Sequence, residues 1–358
     1  MLKKIFIVMV FFLASHLVYS QTSFQKLIIE QNDTSLIYNG AGSLVLKQFT
    51  ATSEFLDAAI NSINSFTSLI KKENYRNKIT SLNNPTSSDM GFNLENEIQT
   101  ALKPLLAKAK NTNSEKFAQV VSTFFTAPTK TAAGVTKTAT PVFNPVYSTL
   151  LSLVGNLAIQ EKKITRDDLD SFINTTAKYF VQYEKLNQAN YLFDQNIDRI
   201  NTRLAELQFD LKEYMLDLTA IIHKTDRSNL KKINAEELFL KYLDKQKLEF
   251  KVGNLESNIH YPSDGLKSAK DIANNLQKLF NEYQRVYNDN YQQIRTILSD
   301  SKRLGKNINT RQVDASLKDL EELYNDSKNA DVLSLRLNTL SERLKVLAEV
   351  EQTSLRTQ

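Results

Sequence analysis

Very few side chains in this sequence have the types and spacing that metal or acid–base chemistry requires. Apart from His16, which lies in an apolar N-terminal run, the histidines are His223 and His260, and the chain contains no cysteine. The two histidines form no arrangement of the His-Glu-x-x-His kind and no other zinc ligand pattern. We therefore predict no metal site and no cofactor, and we expect both histidines at the surface or at helix ends.

Acidic residues occur in three short groups, and each group has a structural explanation. The groups are Asp167, Asp168 and Asp170; Glu236 and Glu237; and Glu321 and Glu322. The aspartates lack the loop glycine and closing glutamate of a calcium hand, and they suit the positive end of a helix dipole. Adjacent glutamates point apart on a helix, whereas glycoside hydrolysis needs two facing carboxylates. With no phosphate loop and no Gly-x-Ser-x-Gly elbow, we predict a non-enzymatic protein without a small-molecule substrate.

The scarcity of chain-breaking residues indicates long helices. The 358 residues include 8 glycines and 6 prolines, whereas average usage would give about 25 and about 18. Sandwiches and barrels need many turns, so this composition argues against an all-β fold. The 45 basic and 40 acidic residues are interleaved along the chain. Since nucleic-acid binding needs clustered positive charge, we predict no nucleic-acid partner.

A hydrophobic three-four spacing extends over the middle of the chain. Every position of this seam except Thr176 and Asn190 is apolar or aromatic, and the pattern predicts one helix over 166–223, about 85 Å long. Thr165 is the predicted N-cap. The tyrosines of the seam are expected in the core. The seam consists of Leu169, Phe172, Thr176, Tyr179, Tyr183, Leu186, Asn190, Phe193, Ile197, Ile200, Leu204, Leu207, Leu211, Tyr214, Leu218 and Ile221.

The predicted helix has more than one neighbour. Met215, Leu216 and Ile222 widen the apolar stripe beyond the two rows that a dimeric coiled coil needs, so the pattern favours a bundle. Asn190 either fixes the register of helix packing or lies beside solvent.

Similar periodicity predicts helices on both sides of this one. We predict helices over 43–80, 93–110 with a kink at Pro104, 235–246, 264–304 with Ser263 as cap, and 311–352. Residues 248–252 alternate and fit a short strand, and 22–38 fit either a helix or a strand pair. The whole indicates an all-α fold, an elongated helical bundle with long coiled-coil-like helices. The predicted domains are an N-terminal helical region, 21–160, and a long-helix bundle, 161–358. The alternative is that residues 43–110 belong to the same domain as the long-helix bundle.

The N-terminus is typical of a secretory signal peptide. Lys3 and Lys4 precede an apolar run from Ile5 to Leu17, which is too short for a comfortable membrane span. We predict cleavage after Ser20, leaving 43 basic and 40 acidic residues, and export to the periplasm or outside the cell. The alternative is an uncleaved N-terminal anchor.

Residues 117–159 differ from the rest of the chain because they contain no acid and only two charges, Lys130 and Lys137. Two apolar arms flank a Thr- and Ala-rich stretch at 126–140. A functional interpretation is a membrane-active hairpin, and the alternative is a buried helix pair with a surface loop. The candidate membrane-contacting residues are Phe124, Phe125, Val142, Phe143, Val146, Leu150, Leu151 and Val154.

The layout resembles that of α-helical pore-forming toxins of the cytolysin A and haemolysin BL type. In those proteins an apolar head hairpin lies between long helices, as 117–159 lies between the predicted helices 43–110 and 166–223. The resemblance implies insertion of the hairpin into lipid. The sequence itself favours an exported scaffold or interaction protein that binds a protein partner or self-associates, and a membrane-binding toxin component is the alternative.

Overall fold

A computed structural model describes residues 40–109, 143–161, 163–254, 259–305, 307–328 and 331–357. Within these ranges the chain is helical, and no strand occurs in them. This confirms the predicted all-α, elongated bundle. The helices are α1 Gly40–Ile70, α2 Asn74–Leu82, α3 Leu94–Leu106, α4 Phe143–Gln160, α5 Arg166–His223, α6 Arg227–Leu230, α7 Ala235–Leu238 continued by a π-helical turn Phe239–Leu243, α8 Lys245–Asn254, α9 Gly265–Ser301, α10 Thr310–Lys328 and α11 Asp331–Thr357.

Four helical rods form the body of the molecule. The first rod consists of α1 and α2, the second is α5, the third is α9, and the fourth consists of α10 and α11. The α5 and α9 rods are antiparallel, and Arg203 of α5 donates to Glu282 of α9 at 2.6 Å. The first rod lies along the last, since Arg343 of α11 donates to Glu54 of α1 at 2.7 Å. Helices from both predicted regions therefore pack in one bundle.

The long helix α5 is the spine of this bundle, and its bounds are those that the seam predicts. Thr165 caps it as expected, within a capping box completed by Asp168. Every seam residue is buried except Leu169, which is half-buried, and Ile221, which is exposed. The widened stripe at Met215, Leu216 and Ile222 is also buried, because α1 and α9 both pack on this end of α5.

The helix predicted over 43–80 is interrupted at 71–73, so this prediction was wrong in one respect. A continuous three-four spacing after Ile70 would need apolar residues near 74 and 77, but both positions are asparagine. The interruption changes the phase of the helix and brings Tyr75, Ile79 and Leu82 into the core. The single predicted helix over 311–352 is likewise described as two, α10 and α11, with 329–330 outside the described residues.

A buried polar layer crosses the bundle next to this interruption. The hydroxyl of Tyr75 donates to Oδ1 of Asn290 at 2.8 Å, and Nδ2 of Asn290 donates to the carbonyl of Ala189 at 3.0 Å. Asn190 is buried rather than solvated, and its Nδ2 donates to the carbonyl of Ile79 at 3.0 Å. These directional bonds join α2, α5 and α9 at one level, which is how a buried polar group specifies register.

The two ends of the rods carry different short helices. At one end, called the base, α3 and α4 pack on the first half of α5. At the other end, called the tip (residues 224–254), α6, α7, the π-helical turn and α8 pack on α5, and α8 also packs on α1.

One prediction at the tip was right only in part, and another was wrong. The helix predicted over 235–246 has the expected cap, with Asn234 accepting from the backbone N–H of Glu237 at 2.9 Å, but α7 passes into a π-helical turn that stops at Asp244. The predicted strand over 248–252 is part of α8 instead. A run of five residues is too short to distinguish the hydrophobic period of a strand from that of a helix. Farther on, the cap of α9 is Asp264 rather than Ser263.

Candidate functional site

The predicted membrane-contacting residues divide between described and undescribed parts of the chain. Phe124, Phe125 and Val142 lie outside the described residues. Phe143 and Val146 belong to the start of α4, and the side chains of the other three are described. Leu150 and Val154 are buried, whereas Leu151 is half-buried at the edge of the contact.

Helix α4 is held against α5 through one face. The ring of Tyr147 lies 4.4 Å from that of Phe180, measured between centroids, and Leu150, Val154 and Leu157 follow it at helical spacing. Spacings of four and three residues place these side chains on the same side of the helix. The buried face therefore forms part of the soluble core.

The outer face of α4 is uncharged and mostly polar. No acidic or basic residue occurs from Phe143 to Gln160. Ser148, Thr149 and Asn156 are exposed, and the side chain of Ile159 is 81% exposed. This outer face carries no charge to desolvate when the helix leaves water, but its hydroxyl and amide groups would have to exchange their hydrogen bonds with water for others.

An ion pair joins the end of α3, where the undescribed segment 110–142 begins, to the start of α5. Nζ of Lys108 lies 2.6 Å from Oδ2 of Asp168, and the same carboxylate accepts from the backbone N–H of Thr165 at 2.8 Å. The bond from Lys108, followed by those from Thr165, lowers the pKa of Asp168 to about 2. Lys108 and Tyr147 thus both contact the first part of α5, one at Asp168 and the other at Phe180.

The contribution of Asp168 to stability is expected to depend on pH. Because its pKa falls from 3.8 to about 2 on folding, the stabilisation is complete above the unfolded value and is lost as the pH falls through the folded one. Asp168→Asn should therefore melt at a lower temperature than wild type at neutral pH, and the two melting temperatures should converge between about pH 4 and about pH 2.

Asp170→Asn is the matched control, since Asp170 lies in the same turn but its carboxylate is 3.9 Å from Arg166 on an exposed surface. It should melt like wild type throughout. A melting difference for Asp168→Asn that stays constant to pH 2 would show that the charge of this carboxylate contributes nothing.

The histidines and acidic groups lie where the sequence indicates. Nε2 of His223, at the end of α5, is 3.1 Å from the carbonyl oxygen of Tyr242, and burial lowers the pKa of its imidazole. His260 is exposed. Among the described residues no group of three or more histidine, aspartate or glutamate side chains is placed to hold a metal ion.

A groove of about 300 Å³ between α5 and α9 is lined by several carboxylates. Its carboxylates include Asp210, Asp264 and Asp271. Arg227 bonds to two others, Glu213 and Asp217, at its edge.

Two apolar surfaces were missed at the sequence level. Val332, Leu335 and Val346 are exposed on α11, and Leu240 and Phe250 are exposed at the tip. In the sequence these residues are distinguished only by lying outside the predicted seams. Whether such a residue is exposed depends on which helices pack beside it, and the sequence does not give that packing.

None of the described helices combines the length and hydropathy needed to cross a membrane. Comparisons with protein-family models, curated proteins and solved structures gave no match to this chain.

Proposed function

We propose that this protein is an exported, non-enzymatic scaffold whose copies associate through the outer face of α11. The observation that carries the proposal is a second apolar row on this helix. The inner row, which includes Leu333, Leu337 and Leu340, is buried against the neighbouring helices. The outer row is Val332 and Leu335, which are 65% and 66% exposed, followed by Val346.

The outer row has the geometry of a helix-packing surface. Offsets of 3 and 11 residues keep Val332, Leu335 and Val346 within about 60° of one another around the helix axis. Between Leu335 and Val346 the same spacing passes through Thr339, which is half-buried, and Glu342, which is exposed. An apolar row of this kind, in excess of what the bundle itself needs, fits a helix of a second copy.

The proposal predicts that Val332→Glu combined with Leu335→Glu abolishes self-association. Sedimentation equilibrium over a wide concentration range should give oligomers for wild type and monomers for the double variant, because four charges would face one another across the interface. At a protein concentration low enough for wild type to be monomeric, both proteins should have the same melting temperature, since exposed substitutions change stability by only about 0.5 kcal/mol.

Phe209→Glu is the control, because Phe209 is an exposed apolar side chain on α5. It should assemble like wild type. A wild-type chain that stays monomeric, or oligomers that survive the double substitution, would rule out association through α11.

The second candidate function is membrane binding by 117–159, which the layout resemblance to pore-forming toxins implies. The uncharged sequence of α4 and the exposure of Ile159 favour it. The chain from Gln21 should then release dye from liposomes, and Ile159→Asp should reduce the release without lowering the melting temperature. No release by wild type would leave the scaffold as the working function.

A further inference from the structure

We propose that the N-terminal segment of the same chain, residues 21–39, packs against the outer row of α11 and competes there with a second copy. The inference rests on the proposed self-association, because it names a regulator of that same surface. Residues 1–39 lie outside the described part of the chain. Three features favour this occupant: the place where the described chain begins, the reach of the segment, and the side chains that it carries.

The described chain begins beside the C-terminal end of α11. Nε2 of Gln48 donates to Oε2 of Glu351 at 3.0 Å. Farther along both helices, Nη1 of Arg343 donates to Oε2 of Glu54 at 2.7 Å, so α1 and α11 are antiparallel. Gly40 starts α1 eight residues before Gln48 and is therefore level with the end of α11. The N-terminal segment is thus attached at the end of the helix that carries the outer row.

The segment is long enough to reach this row. At 1.5 Å per residue, Val346 is about 17 Å and Leu335 about 33 Å from the end of α11. The 19 residues of 21–39 span about 28 Å as a helix and about 63 Å when fully extended. Val346 is therefore within reach of a helix, and the whole row is within reach of an extended chain.

The segment carries apolar side chains that can cover the row. They form two groups, Leu-Ile-Tyr at 36–38, close to α1, and Leu-Ile-Ile at 27–29. The outer row also has two parts, because Val346 lies near the end of α11 whereas Val332 and Leu335 lie farther along it. Contact between the two sets removes apolar surface from water on both sides, which is favourable.

Charge has little influence on this contact. Exposed side chains of both signs border the row, among them Arg336 and Glu342. The segment contains Lys26, Glu30 and Asp33, so its net charge is only −1. The attraction is therefore apolar, and we expect added salt to leave it unchanged.

Attachment in the same chain favours the segment over a second copy. A tethered group is present at an effective concentration in the millimolar range, so a weak contact suffices to cover the row at micromolar protein. A second copy binds only the uncovered fraction of molecules. The apparent dissociation constant of self-association rises by the inverse of that fraction.

Leu27→Glu combined with Ile28→Glu tests this competition in the chain from Gln21. Sedimentation equilibrium should give a dissociation constant about tenfold lower than that of wild type, because the row is no longer covered. Adding Val332→Glu and Leu335→Glu to this variant should abolish its association.

Gln31→Glu combined with Ser35→Glu is the matched control, since it adds the same charge to the segment at polar positions. This variant should associate like wild type. An unchanged dissociation constant for the variant at 27 and 28 would overturn the inference. Weaker association of that variant would also overturn it, and would place the segment in the contact between copies instead.

Cross-linking tests the contact without self-association. Because the chain contains no cysteine, Gln31→Cys combined with Glu342→Cys provides a single pair for a short bismaleimide. At a protein concentration low enough for the chain to be monomeric, this pair should be linked within one chain.

Gln31→Cys combined with Lys267→Cys is the control for the cross-link. Lys267 is exposed near the start of α9. It lies at the same end of the bundle, because six residues earlier the hydroxyl of Tyr261 is 2.7 Å from that of Thr52 on α1. The control should be linked at least tenfold more slowly than the pair at 31 and 342, and equal rates would overturn the inference.

The two measurements separate this inference from the proposed self-association. Monomers at every concentration together with a fast cross-link to position 342 would support the contact of the segment and rule out association through α11. Oligomers of wild type with no preferred cross-link would support the association and overturn the contact.

Discussion

Leu150→Asp is expected to lower the free energy of unfolding by about 3–5 kcal/mol, the largest effect of any single substitution considered for this protein. Leu150 is 1% exposed and lies between α4 and α5. The aspartate would lose the apolar contacts and place a charge without a partner in the interface. Urea denaturation followed by circular dichroism measures the effect. Either the whole bundle unfolds at a lower urea concentration than wild type, or α4 unfolds separately before the rest.

Ile159→Asp makes the same chemical change at the exposed end of the same helix, where the side chain is 81% exposed. It should change the unfolding free energy by no more than about 0.5 kcal/mol. Equal effects at the two positions would mean that α4 does not dock on α5 as described. Together the pair also separates a core role of α4 from a lipid role, because only the exposed position can reach lipid while the soluble fold stays intact.

Gly91→Ala is expected to destabilise the protein by about 2–4 kcal/mol, from backbone strain and overpacking combined. Gly91 has a φ of +81°, and an added Cβ would lie 2.5 Å from Cγ2 of Val313 and 3.0 Å from the carbonyl oxygen of Asn309. The turn is also a junction, because the backbone N–H of Asn309 donates to the carbonyl of Gly91 at 2.8 Å. The substitution should therefore loosen the contact between the turn before α3 and the start of α10, which differential scanning calorimetry measures as a lower melting temperature.

Gly155→Ala is the matched control for this prediction. Gly155 is inside α4, and a Cβ placed there meets no atom within 4 Å. Alanine has a higher helix propensity than glycine by about 1 kcal/mol, so this substitution should stabilise the protein slightly. The same change is thus expected to have opposite signs at the two glycines. A stabilising or neutral effect at position 91 would contradict the positive φ and the close contact described for that turn.

Most of the fold could be predicted from local sequence features. The seam of α5 repeats far beyond the length of an ordinary helix, and Thr165 caps its start, so both ends of this helix were placed correctly. The widened stripe at Met215 and Leu216 indicated a bundle because an apolar side chain exposed to water on a coiled coil is unfavourable. These inferences need only the helix period and the capping geometry, which act over one or two turns.

The exposed apolar surfaces could not be predicted in the same way. The alternation around Phe250 suited a strand, and in a strand Leu248, Phe250 and Val252 would share one face. In α8 they do not, and this difference exposes Phe250. The outer row of α11 is as apolar in sequence as parts of the inner row. It is exposed because α1 and α9 pack against the inner row instead.

The sequence by itself therefore determined the helical class, the length and start of α5, and the apolar, uncharged character of 117–159. Tertiary structure decided which of several apolar rows is buried, where the first rod is interrupted at 71–73, and why Gly91 must be glycine. The physical reason is how far apart in the chain the interacting residues lie. Helix period and capping depend on neighbours within a few residues, whereas burial of a row, the phase change before Tyr75 and the approach of Val313 to Gly91 depend on helices far apart in the chain.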